Sequence, residues 1–133
     1  SLDRYKERQI DPAIAAMKSP DAGRAELRAY LSALAKVFRG DPALAMRGCL
    51  VINSVTELGG RDEAVRQAGI AYRQLVADAM ANALRGAAKN DAERAGAPAR
   101  ARIMSATLIG ALITAHFDPE GAARLCRQMA DEI

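Results

Sequence analysis

Tryptophan is missing from this chain, and three Tyr and two Phe bring the aromatic share to only 4%. A core with so few large flat side chains must be filled by small ones. Half of the 133 residues are nevertheless apolar, and Ala is the commonest of all. Ala is the best helix former because it loses no side-chain entropy on folding. Closely packed helices are therefore expected, and the fold class is all-α. The length suits one domain with a single core.

Cysteine is nearly absent as well. Cys49 and Cys126 lie in different apolar segments with no CxxC spacing, which excludes a disulfide framework and a cysteine-built zinc site. Such usage fits a reducing, cytoplasmic setting. His116 is the only histidine, and Glu120, its one acidic neighbour at helical spacing, lies beyond Pro119. That is a poor metal site, so neither a metal nor a cofactor is expected. His116 reads instead as a helix-end imidazole favoured by the C-terminal dipole. Catalytic triads, paired carboxylates and phosphate loops are all missing, so an enzyme is not expected.

Charge of one sign is in short supply too. The net charge is +3, and residues 1–40 carry eight Lys/Arg against five Asp/Glu, while the rest of the chain balances. Nucleic-acid faces cluster their basic residues, and this excess is scattered. No signal peptide is visible. The longest uncharged run, 103–117, is shorter than the roughly 20 residues of a membrane span, so no membrane role is expected.

What is present is punctuation. Four of the five prolines follow Asp or Ser: Asp11-Pro12, Ser19-Pro20, Asp41-Pro42 and Asp118-Pro119; the fifth is Pro98. Asp or Ser accepts from the free N–H groups of a first helical turn, and proline there has no N–H to lose. Six helices follow: 2–18, kinked near Pro12, then 20–39, 48–58, 62–86, 98–117 and 119–131, with 90–97 as a loop. The third holds β-branched Val51, Ile52 and Val55, as a strand would. A lone strand would leave its backbone polar groups unpaired, whereas a helix satisfies them locally.

The faces of these helices are legible. The second aligns Leu27, Tyr30, Leu31, Leu34 and Phe38 at helical spacing. The fourth aligns Val65, Ala68, Gly69, Tyr72, Val76, Ala79 and Ala83, with a second strip through Ile70, Ala77, Ala81 and Leu84. The fifth is uncharged over 103–117, so it needs cover almost all round. A partner chain is the simplest cover. Ala106 and Gly110 let a second helix come close, and Ile113 and Phe117 continue that face. The sixth offers Ala122, Leu125, Cys126, Met129 and Ile133 as one stripe, again suited to a helical partner.

The segment RGCLVINSVTELGGRDEAVRQAGIAYRQLVADAMANAL resembles the C-terminal domain of TetR-family transcriptional repressors. That family commonly has a short buried helix opening Arg-Gly-Cys-Leu with Asn four positions after the Cys, here Arg47, Gly48, Cys49, Leu50 and Asn53. Leu2-Asp3-Arg4-Tyr5 is similar to the start of the helix that follows the family's DNA-binding domain. The order of helices agrees as well. The resemblance implies an effector-binding and dimerisation domain working as a homodimer. The helix-turn-helix on which the family's operator binding depends is not among these residues. Operator DNA would be met only through that N-terminal domain.

By the same resemblance the first to fifth helices surround a ligand cavity, and the fifth and sixth of two chains form a four-helix interface. The wall candidates are Leu34, Phe38, Met46, Tyr72 and Val76, with Asn53, Thr56 and Glu57 to place hydrogen bonds. Pockets are typically apolar with a few placed polar groups, so the expected effector is a small apolar or aromatic molecule. The interface candidates are Ala106, Gly110, Ile113, Phe117, Ala122, Leu125, Cys126 and Met129. Plainer readings stand beside these. The wall residues also suit an ordinary core, Asn53 a backbone partner, Glu57 open water, and Cys49 a small buried apolar role. The alternative for the whole chain is a free-standing helical dimerisation module with a filled core and no effector.

Overall fold

In the computed structural model of the chain, residues 10–40, 54 and 56–133 are described. They form an all-α helical bundle: α1 (Asp11–Met17), α2 (Arg24–Gly40), α3 (Glu63–Ala87), α4 (Asp91–Thr114) and α5 (Pro119–Asp131). No strand occurs among the described residues. The expected third helix falls mostly outside them, but Ser54 and 56–58 are helical. No described helix is long and apolar enough to cross a membrane.

Two helix starts follow the Asp rule. Asp62 accepts the Val65 N–H at 3.2 Å ahead of α3. Asp118 accepts the Gly121 N–H at 2.9 Å ahead of α5, with Pro119 in the first turn. Two others depart from it. Pro20 lies in a turn, where the Ser19 hydroxyl accepts the Asp21 N–H and the Ser19 carbonyl accepts the Ala22 N–H. Helix α2 therefore begins at Arg24, four residues later than proline placement predicts.

The larger departure is α4, which begins at Asp91 and not at Pro98. Asn90 accepts the Glu93 N–H at 2.8 Å, and the Glu93 carboxylate accepts the Lys89 N–H at 2.7 Å. This reciprocal pair is a variant of the capping box. It starts the helix firmly enough that Pro98 is carried inside it, on an exposed position. There the missing N–H costs one intrahelical bond, to the Arg94 carbonyl.

The core is built mainly from α2, the C-terminal half of α3, the inner face of α4 and α5. Leu27, Tyr30, Leu31, Leu34 and Phe38 are all buried on α2, as their spacing requires. Helices α2 and α5 run antiparallel, with Arg28 near Asp131 at one end and Arg39 near Glu120 at the other. Helices α3 and α4 form an antiparallel pair joined by a three-residue turn. On α3 burial begins at Val76; Val65, Gly69 and Tyr72 are half-buried, and Ala68 and Ile70 are exposed. The apolar face expected along the whole helix is thus covered only over its second half by the described core.

Candidate functional site

Four of the expected wall residues fall within or against the bundle's general core, which takes in buried side chains from every described helix. Leu34 and Phe38, one turn apart on α2, and Val76 on α3 belong to one buried apolar cluster, and Tyr72 packs against it from the preceding turn of α3. Leu34, Phe38 and Val76 are only 6%, 4% and 2% exposed. Thr56 and Glu57 lie on the short helical stretch before α3 with exposed side chains. The Glu57 carbonyl accepts from the exposed Arg61 guanidinium at 3.4 Å. Met46, Asn53 and Cys49 lie outside the described residues.

A pocket of about 240 Å³ opens elsewhere, at the end of the bundle where α2 starts and α3 ends. Its lining includes Arg24, Leu84, Lys89, Glu93, Arg100 and Glu132 and none of the expected wall residues. Two of its five charged side chains, Arg100 and Glu93, are held by backbone groups of the chain. Arg100 donates to the Glu132 carbonyl at 2.8 Å, and Glu93 holds the Lys89 N–H. Among the described residues no cluster of His, Cys, Asp and Glu can hold a metal ion.

The interface candidates divide between two environments. On α4, Ala106, Gly110 and Ile113 are exposed, and so is Phe117 in the turn that follows, by 73%. Ile103, which the sequence reading did not include among them, is 71% exposed on the same side. The opposite side of α4 buries Ala97, Ala101, Met104, Leu108, Ala111 and Leu112. The helix is apolar on two faces, and its own bundle covers one.

On α5 the outcome differs from expectation. Ala122, Cys126 and Met129 are buried within their own chain, and Leu125 is half-buried. The stripe read as suited to a partner packs instead on α2 and α4. An apolar stripe demands cover but does not say which helix supplies it, and here α2 supplies it from the same chain. Burial pushes the Cys126 thiol up to about 12, with the nearby Arg127 charge acting the other way. Such a thiol is inert at neutral pH, since the thiolate is the reactive form.

Comparison with protein-family models, curated proteins and solved structures finds no match for this chain.

Proposed function

We propose that this chain is the effector-binding and dimerisation domain of a ligand-responsive transcriptional repressor of TetR type. The observation that carries the reading is the two-faced α4, turned into its own bundle on one side and bare of cover on the other. A helix of this kind belongs at the contact between two copies of a bundle. The resemblance of residues 47–84 to the family's ligand-binding region supports the same reading. A small apolar or aromatic effector would be bounded by Leu34, Phe38, Tyr72 and Val76, with Met46, Asn53, Thr56 and Glu57 from the preceding segment. Its binding would change the spacing of paired DNA-binding domains and release operator DNA. Operator contact belongs to a helix-turn-helix domain outside these residues. In this reading the protein is a cytoplasmic homodimer with no catalytic role, cofactor or membrane contact.

A second reading has its own support. Leu34, Phe38 and Val76 are so well covered that they also suit a filled core, which describes a dimerisation module without an effector. Thermal shift against apolar, cationic and anionic compounds separates the two. A ligand at a hundred times its dissociation constant stabilises the folded state by about 2.7 kcal/mol if it binds only that state. Apolar or aromatic hits that disappear in Tyr72→Ala support the effector domain. Hits confined to phosphates or polycarboxylates refute the pocket, because none of the residues proposed as its walls is a Lys or Arg that could offset desolvation of such a ligand.

A further inference from the structure

The pocket at the end of the bundle lies where four parts of the chain meet. They are the first turn of α2, the last turn of α3 with the turn that follows it, the first turns of α4, and the residues just past α5. Small side chains leave the space open, since Ala87, Ala88 and Ala97 line it where larger ones would fill it. Leu84 and Ala97, 3% and 1% exposed, give it an apolar floor. Its charged residues are exposed and form the rim: Arg24, Lys89 and Arg100 against Glu93 and Glu132, which leaves one positive charge in excess.

The chain itself holds the frame of this rim. The Glu93 carboxylate accepts the Lys89 N–H at 2.7 Å, which fixes the backbone from which the Lys89 side chain springs. The Arg100 guanidinium donates to the Glu132 carbonyl at 2.8 Å, which uses one of its five N–H donors. The side chains of Arg24 and Lys89 make no hydrogen bond or ion pair among the described residues.

We infer that this pocket binds a small organic monocarboxylate, with its apolar body on Leu84 and Ala97 and its carboxylate on Arg24 and Lys89. The site is separate from the effector cavity proposed above and does not depend on it. Three properties select the ligand class. The volume of about 240 Å³ lies just under the roughly 300–1,000 Å³ of pockets for drug-sized molecules, so the occupant is small. The single excess positive charge matches a monoanion. A phosphate dianion or a polycarboxylate would bring a second negative charge beside Glu93 and Glu132, and like charges across a contact are disfavoured. The apolar floor rewards a body of several carbons, by about fourfold in affinity for each methylene fully buried.

Titration of the isotope-labelled full chain with hexanoate, followed by NMR, tests the inference. Acetate, uncharged hexanamide and inorganic phosphate are compared at equal ionic strength. The expected result is a saturable shift of the Ala87, Ala88 and Ala97 amide signals. Hexanoate should bind about tenfold more tightly than acetate, for its buried methylenes, and about tenfold more tightly than hexanamide, for its charge. Arg24→Gln and Lys89→Gln should each weaken hexanoate by roughly two- to fivefold, the range of exposed ion pairs, and together by about tenfold. Both side chains are exposed, so the rest of the spectrum should stay unchanged. If the double variant does not fold, the four ligands compared on the parent chain decide alone. Equal binding of hexanoate and hexanamide overturns the inference, because the charged rim is then idle. Phosphate binding more tightly than hexanoate overturns the ligand class. Shifts at Tyr72 and Val76 in place of Ala87, Ala88 and Ala97 overturn this site and favour the effector cavity. The absence of any saturable shift overturns the inference and leaves the effector reading to its own test.

Discussion

The side-chain amide of Asn82 donates to the backbone carbonyl of Met17 at 2.7 Å and also to that of Ser19 at 2.8 Å. The contact ties α3 to the C-terminal end of α1 across 65 residues of sequence. Helix ends leave carbonyls without intrahelical partners, and Asn82 satisfies two of them at the place where the chain turns into α2. Asn82→Ala should therefore lower stability by about 1–3 kcal/mol, the cost of leaving part-buried acceptors unmet. Urea unfolding measures this, and a loss under 0.5 kcal/mol would show that the bridge contributes little.

One turn further along α3, Gly86 meets the backbone of Ala22 so closely that an added Cβ would overlap the Ala22 carbonyl. The neighbour is backbone and cannot swing aside. Gly86→Ala should destabilise by several kcal/mol through overpacking. Gly96, inside α4 and with open space around it, is the matched control. Gly96→Ala should stabilise by about 0.5–1 kcal/mol, because Ala loses less entropy in a helix. Equal effects at the two positions would contradict the packing described.

Ile103→Glu separates folding from association. Ile103 is 71% exposed in the single chain, so its replacement should change the stability of the isolated fold by no more than about 0.5 kcal/mol. In a seam between two copies the same carboxylate would be buried without a partner, and association should weaken by several kcal/mol. Sedimentation of parent and variant over a range of concentrations decides this. An unchanged dimer would move the contact away from this face.

Cys126 makes a prediction about pH. Its folded pKa, near 12, lies above the value of about 8.5 for an unfolded thiol. A raised folded pKa gives a contribution fully present below the unfolded pKa and lost as pH rises towards the folded one. The parent should therefore lose stability relative to Cys126→Ala between about pH 8.5 and 12, by at most about 1.4 kcal/mol per pH unit. Denaturation of both proteins at pH 8 and pH 10.5 tests the difference. Parallel curves would mean that the thiolate is tolerated in the fold.

Local chemistry alone determined a good deal of this protein. Asp62 and Asp118 each act on an N–H three residues away, so these starts are visible in a window of four residues. The buried face of α2 follows from spacing that any helix must obey. The start of α4 was equally local, written in Asn90 and Glu93, but Pro98 outweighed it in the sequence reading. A capped turn already leads the helix through Pro98, which then removes a single intrahelical hydrogen bond.

Tertiary structure alone decided what covers each apolar face. Ala122, Cys126 and Met129 on α5, and Ile103 and Ile113 on α4 with Phe117 just beyond its end, look alike in sequence, as apolar residues at helical spacing. The first set is buried by α2 and α4 of its own chain, and the second is left exposed. The same holds for Leu34, Phe38 and Val76, brought into one cluster from helices far apart in the chain. Hydrophobic burial is non-directional: it fixes how much surface must leave water and says nothing of which surface receives it. The choice was made by the antiparallel packing of α2 on α5 and by the close approach of Gly86 to Ala22, contacts between residues that no local window contains.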